Sequence, residues 1–267
     1  RPIISVTKAK KSLGQNFLTD QVIMSRILET VNPKEEDEFF EIGAGKGALT
    51  KNLIPTVKNI EIVEIDKDLI PDLKKLELSS NKIKVHEGSV LKMELEKLSR
   101  GECKFRVIGN LPYNLSSKIM LWSFQNVPYI LDMHYMFQKE FGERLVSSPG
   151  KKTYGRLSVL SQYMFESLDL FEISPESFRP KPSVKSIFIK FTPKPKRDVN
   201  SLEAIKLQEI TQLMFSKRRK KISTSCKSLV SANDFIDLDI NPDDRPESLS
   251  VKEFLKICKY LLHNTNG

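Results

Sequence analysis

Ten consecutive residues, Phe105-Arg106-Val107-Ile108-Gly109-Asn110-Leu111-Pro112-Tyr113-Asn114, run from a short apolar stretch into a polar-Leu-Pro-Tyr turn. An amide, a carbonyl beside a proline and an aromatic face are the groups that suit methylation of an exocyclic amine. The lone pair of adenine N6 is delocalised into the ring, so a site must accept hydrogen bonds from N6–H and hold that nitrogen in line with an electrophilic methyl. The Asn110 side-chain oxygen and the Leu111 carbonyl can do both, because Pro112 fixes the turn. Tyr113 offers a face for a base to stack on, worth about 1–3 kcal/mol in nucleic-acid sites. No strong general base is required, since the proton becomes acidic once the nitrogen is methylated. A plain β-turn with a buried tyrosine would carry the same four residues, so this segment alone leaves both readings open.

A second cluster is Glu41-Ile42-Gly43-Ala44-Gly45-Lys46-Gly47, between an apolar run and the start of a helical pattern. Glycines at alternate positions let a strand turn tightly into a helix and let a ligand approach where a Cβ would collide. No Lys-Ser/Thr follows the last glycine, which excludes a Walker A loop. The spacing is GxGxG rather than GxGxxG. Glu64 closes the next apolar run, and a carboxylate about twenty residues past such a turn can accept both hydroxyls of a ribose. The pattern therefore suits an adenosine-containing cofactor, either a dinucleotide or S-adenosylmethionine.

These residues need a sheet to hold them. Phe39–Ile42, Ile60–Ile65, Ile83–His86 and Phe105–Ile108 read as buried strands, with a further strand within Tyr129–Phe137. Ala48–Leu53 and Asp68–Leu78 have helical spacing. The alternation predicts an α/β fold with a mostly parallel sheet covered on both faces. Asn110 would then stand at the C-terminal edge of the fourth strand, where open α/β sheets bind ligands. Leu168–Ser174 and Ser186–Phe191 read as two late strands, an antiparallel pair at the end of the sheet. Thr192-Pro193-Lys194-Pro195-Lys196-Arg197 is proline-broken and basic, as a linker should be. Beyond it Leu202–Phe215, Lys217–Val230 and Val251–Leu262 have helical periodicity only. The division expected is 1–192, with residues 1–12 a basic mobile arm carrying Lys8, Lys10 and Lys11, and a small all-helical domain over 193–267.

Charge points to a polyanion. The net charge is +9; residues 181–230 alone carry +10, so the remainder is close to neutral. Phe215-Ser216-Lys217-Arg218-Arg219-Lys220-Lys221 is expected to open a helix that presents its cations to a phosphate backbone. No stretch approaches the ~18 consecutive apolar residues of a membrane span. The basic start is not followed by an apolar signal region. Cys103, Cys226 and Cys258 give neither a disulfide framework nor a zinc pattern, so a reduced, intracellular protein is expected. His86, His134 and His263 are isolated in the sequence and read as core or surface residues, and no metal site is expected.

The motifs together resemble the small-subunit ribosomal RNA adenine dimethyltransferases, the KsgA family, nearly end to end. The resemblance is carried by Leu13-Gly14-Gln15-Asn16-Phe17-Leu18, Glu41–Gly47, Glu64, Asn110–Tyr113, Tyr154-Gly155-Arg156-Leu157-Ser158-Val159 and Phe178-Arg179-Pro180-Lys181-Pro182-Ser183-Val184. It implies a Rossmann-like class I methyltransferase domain with a seven-stranded sheet, S-adenosylmethionine as cofactor, and a monomeric cytoplasmic enzyme. The enzyme would dimethylate N6 of two adjacent adenosines near the 3′ end of small-subunit rRNA, late in subunit assembly. Gln15, Asn16 and Leu18 would lie across the methionine part of the cofactor, Gly43 and Gly45 beneath it. Glu64 would take the ribose, with Ile65, Ser89 and Val90 completing the cofactor site. Asn110 would face the methyl and the target N6, Leu111 and Pro112 would shape the turn, and Tyr113 and Phe178 would sandwich a flipped adenine. Lys217, Arg218, Arg219, Lys220, Lys221 and Arg156 would meet RNA. The Erm resistance methylases, which share the fold, usually read Asn-Ile-Pro-Tyr, so Leu111 favours the dimethyltransferases. A non-catalytic assembly factor and a nicotinamide oxidoreductase are the other readings, although the second leaves Asn110–Tyr113 and the basic tail without a role.

One position departs from the family. Gly88-Ser89-Val90 stands where Gly-Asp is usual, and an uncharged, shorter acceptor holds the cofactor's adenine amine less strongly. Ser89→Asp is expected to lower the cofactor dissociation constant in calorimetry; unchanged or weaker binding would contradict the assignment of this residue.

Overall fold

The computed structural model describes residues 13–101 and 103–264; the arm expected over residues 1–12 lies outside them. The chain separates into two compact units, residues 1–139 with 167–192, and residues 140–166 with 193–267.

The first unit is built on a seven-stranded sheet. Its strands are β2 (Glu38–Ile42), β3 (Asn59–Glu64), β4 (Ile83–Glu87), β5 (Phe105–Asn110), β6 (Ile130–Gln138), β7 (Phe165–Ile173) and β9 (Ser186–Pro193). A separate two-stranded pair joins β1 (Phe17–Leu18) to β8 (Phe178–Arg179). The sheet order is β4-β3-β2-β5-β6-β9-β7. The pairs β4/β3, β3/β2, β2/β5 and β5/β6 are parallel and β6/β9 is antiparallel. Near-continuous burial along β2 and β5 follows from helices on both faces. Strand order reverses between β2 and β5, which places a ligand crevice beyond their C-terminal ends. The two strands approach so closely there that a Cβ on Gly109 would meet the Ile42 carbonyl oxygen at 2.9 Å. Glycine is required at that position by backbone proximity, not by dihedral freedom.

At the opposite end of β5, Arg106 ties the unit together. Its guanidinium donates to both oxygens of Asp132 on β6 at 3.0 and 3.1 Å and to Asp37 at 2.7 Å. It also donates to the Val31 carbonyl at the end of α1 (Gln21–Val31), at 2.8 Å. Removing one member of such a buried pair typically costs about 3–5 kcal/mol, because the partner charge is left unpaired.

The second unit is helical: α6 (Lys139–Leu145), α7 (Arg156–Met164), α8 (Leu202–Ser216), α9 (Ile222–Ser225), α10 (Ala232–Asp237) and α11 (Val251–Asn264). The later part of this unit starts at Pro193. Residues 140–166 nevertheless group with the tail rather than with the sheet, because α7 packs on α8 and α11. An apolar face formed by segments far apart in sequence is invisible to a linear reading of boundaries. The helix expected over Lys217–Val230 is also absent: α8 ends at Ser216, turns follow, and α9 is a single turn of helix. The basic run therefore lies in the α8–α9 loop, where clustered cations sit favourably near a helix C-terminus.

His134, on β6, is fully buried with neither ring nitrogen hydrogen-bonded, its ring 5.9 Å from that of Phe188. Burial pushes its pKa down to about 4 from 6.5; nearby Asp132 opposes that shift, and Arg106 and Lys190 reinforce it. The unfolded chain takes up a proton near pH 6.5 that the folded chain refuses. Stability is therefore lost as pH falls from about 6.5 toward about 4. His134→Leu is expected to flatten that part of the curve of unfolding free energy against pH, measured by urea denaturation; an unchanged slope would contradict this account.

Candidate active site

The crevice beyond β2 and β5 gathers most of the expected residues. Gln15, Asn16, Gly43, Gly45, Glu64, Ile65, Ser89, Val90 and the turn Asn110–Tyr113 line one open cleft. Three sheet elements supply them: the glycine turn after β2, the carboxylate at the end of β3 and the Asn-Leu-Pro-Tyr turn after β5. The segment before β1 crosses over them.

Glu64 is 4% exposed. Its carboxylate accepts from the backbone amides of Gly45 at 3.0 Å and Asp66 at 2.9 Å. Burial nevertheless raises its pKa, against the pull of these amides. An ionised carboxylate has about four acceptor sites, so capacity for a ribose remains. Gly43 has φ +66° and a Cβ there would project into open space within the cleft. The bare backbone at that point leaves room for a ligand to lie against it, as an adenosine cofactor requires. Ile65, 41% exposed, offers an apolar wall. Ser89 lines the cleft and caps a short 3-10 turn, its hydroxyl accepting from the Leu91 amide at 3.3 Å; a hydroxyl has capacity for a second acceptor bond.

The Asn110 amide nitrogen donates to the Asn16 carbonyl at 2.8 Å. That bond assigns Nδ2 to the protein and leaves Oδ1 as the acceptor for an incoming amine. Tyr113 is held by its hydroxyl at 2.9 Å from Ser186 Oγ, and burial raises its pKa, so it stays a neutral aromatic surface. Ser186 and Gly109 are parts of the site that motif reading passed over; both sit on strands as small residues with no local signal.

Three expectations are corrected. Leu18 does not line this cleft; it borders a second cavity of about 450 Å³, which shares Phe17, Gly43, Gly45 and Asn110 with the first. Phe178 is fully buried, pairs with Leu18 across β1/β8 and belongs to the main core with Ile173 and Phe188. It presents no stacking face in this structure, and its neighbours Arg179 and Pro180 line the second cavity instead. Arg156 points inward within the helical unit, donating to the Gln208 carbonyl at 3.3 Å and to Thr211 at 3.4 Å. Of the basic loop, Lys217, Arg219 and Lys220 are exposed, Lys221 is exposed and paired with Asp243 at 2.9 Å, and Arg218 is held by Glu247 at 2.9 Å and the Lys152 carbonyl at 2.7 Å. Among the described residues no group of three or more His, Cys, Asp or Glu could hold a metal ion.

Buried Glu41 borders the second cavity and accepts from the Thr50 hydroxyl at 2.5 Å. Burial pushes its pKa up to about 7.

Comparison with known proteins identifies the family and the fold. The profile of the ribosomal RNA adenine dimethylase family matches residues 6–263. Ribosomal RNA small subunit methyltransferase A of Dechloromonas aromatica is 40% identical over 253 residues, 95% of this chain and 98% of that protein. The protein of that description from a Marinomonas species is 39% identical over 257 residues, 96% of each. Among solved structures, a dimethyladenosine transferase from Plasmodium falciparum has a TM-score of 0.74 at 25% identity, covering 94% of this chain and 98% of that one. The 23S rRNA methyltransferase ErmE shares the fold, with a TM-score of 0.70 at 21% identity over 92% of this chain and 99% of that one. The fold is that of the class I methyltransferases. Within that class, the chain belongs to the ribosomal RNA adenine dimethylase family.

Proposed function

We propose that the protein methylates N6 of two adjacent adenosines near the 3′ end of small-subunit rRNA, placing two methyls on each, late in small-subunit assembly. The reading rests on one observation above all: Asn110, with its amide nitrogen already engaged by Asn16, shares a cleft with the glycine turn and Glu64. Family membership supports rRNA adenine as substrate, and the description of the bacterial relatives supports the small subunit.

S-adenosylmethionine, when bound, supplies an electrophilic methyl on a sulfonium. Glu64 accepts its ribose hydroxyls, Gly43 leaves the room it needs, and Gln15, Asn16, Ile65, Ser89 and Val90 complete the surrounding wall. Asn110 Oδ1 and the Leu111 carbonyl accept from the amine of the target base and orient its nitrogen. Tyr113 stacks on that base, which must leave its helix for N6 to reach the cleft. Action on the small subunit implies a cytoplasmic enzyme, which this reading takes as a monomer. No helix among the described residues is long and apolar enough to cross a membrane.

The exposed cations of the α8–α9 loop bind rRNA phosphates, while Arg156 serves the helical unit's own packing. Arg219→Ala and Lys220→Ala are each expected to reduce the slope of log binding constant against log salt by about 1. Arg156→Ala is expected to leave that slope unchanged and to lower the melting temperature. Equal slope changes for Arg156 and Arg219 would contradict the division of roles.

The reaction itself is tested by transfer of labelled methyl to unmodified small subunits, naked small-subunit rRNA and naked large-subunit rRNA. Incorporation into small subunits, lost or strongly reduced in Asn110→Ala, is the expected result. Label on large-subunit rRNA would indicate an Erm-type activity, and binding without label would indicate an assembly factor.

A further inference from the structure

Residues 13–18 form a strap across the strand ends, and the structure fixes it on both sides of Asn16. Downstream, Leu18 pairs with Phe178 in β1/β8, and the Thr19 amide donates to the Ser177 carbonyl at 3.0 Å. Upstream, the Gln15 side-chain amide donates to Asp66 Oδ2 at 2.7 Å. Between these two anchors lies the Asn16 carbonyl that holds Asn110. Asp66 is 1% exposed and follows β3; its amide donates to Glu64 and its Oδ1 accepts from the Asp68 amide at 3.1 Å. One buried carboxylate therefore links the turn bearing the ribose-binding acid to the strap that orients the amide of the methyl-transfer turn.

We propose that Asp66 is a positioning residue for methyl transfer, which acts through Gln15 to hold the strap so that Asn16 presents its carbonyl to Asn110. The argument is geometric. Only Asn16 lies between Gln15 and the β1 pair, so losing the Gln15 anchor frees the strap on its upstream side, at the point where Asn16 sits. The Asn110 amide could then rotate and offer its NH2 group to the target amine in place of Oδ1, a donor facing a donor. Misplacement of this kind far from the reacting atoms commonly costs about 10²-fold in rate. The inference rests on the proposed methyl-transfer function.

Simple truncation of Asp66 also removes its bond to the Asp68 amide, so the test is an exchange of partners. Gln15→Glu sets a carboxylate against Asp66, and Asp66→Asn added to it restores a donor–acceptor pair with the roles reversed. Four proteins are compared: wild type, Gln15→Glu, Asp66→Asn and the double variant. The methyl-transfer rate constant, KM for small subunits, the dissociation constant for S-adenosylhomocysteine by calorimetry and the melting temperature are measured for each. Gln15→Glu is expected to lower the rate constant by about 10- to 100-fold with KM for small subunits little changed, and to weaken S-adenosylhomocysteine binding. The double variant should recover most of both losses. Asp66→Asn alone should fall between wild type and Gln15→Glu, because its single side-chain oxygen cannot accept from both the Gln15 side chain and the Asp68 amide. A Gln15→Glu protein as fast as wild type, or a double variant no better than Gln15→Glu at an equal melting temperature, would overturn the proposal. Absence of methyl transfer by wild type would instead defeat the functional reading, while the binding and melting data would still report on the Gln15–Asp66 pair.

Discussion

The hydrogen bond from the Asn110 amide to the Asn16 carbonyl is the contact on which the site depends. It joins the end of a central strand to a segment more than ninety residues earlier in the chain, and under the proposed function it decides which end of an amide faces the substrate. Everything around it serves to keep the two groups in place. Gly109 lets β5 come close enough to β2 for the turn and the glycine loop to share one cleft. The β1/β8 pair and the Gln15–Asp66 bond hold the strap from its two sides. Tyr113, tethered to Ser186, is fixed in orientation by its own hydroxyl.

A site assembled from strand ends needs strands that do not shift. Arg106 supplies that at the opposite end of β5, where one guanidinium joins Asp132, Asp37 and the last carbonyl of α1. The ion pairs are buried and the one with Asp132 is bidentate, so they fix geometry more than they add stability. A neutral, unpartnered His134 in the same strand layer is tolerated because burial suppresses its charge. The strand ends thus carry the chemistry, and the strand starts carry the anchoring.

Much of this was legible from the residues. The strand positions emerged because buried parallel strands are unbroken apolar runs, and Glu64 and Asn110 were identifiable because each closes such a run. What escaped depends on contacts distant in sequence. Phe178 reads as a stacking aromatic within its motif, yet its burial comes from β1 and from Phe188, which no local pattern announces. Arg156 looks like a phosphate ligand until Thr211 and the Gln208 carbonyl are seen beside it. Residues 140–166 join the helical unit through packing alone. The basic run after Phe215 has a composition a helix would accept, but the chain turns at Lys217. Asp66 gave no signal because an acid after a strand is ordinary until Gln15 is found bonded to it.

The central claim is that this cleft delivers methyl groups to one atom of one kind of base. The most direct measurement is mass spectrometry of nuclease fragments from small-subunit rRNA after incubation of unmodified small subunits with the enzyme and S-adenosylmethionine. The account predicts two neighbouring N6,N6-dimethyladenosines in a single fragment from the 3′ end, and no other modified nucleotide. Methylation at a ring carbon, on a ribose or on a pyrimidine would contradict it, because the proposed role of the Asn110–Tyr113 turn is to accept from an exocyclic amine.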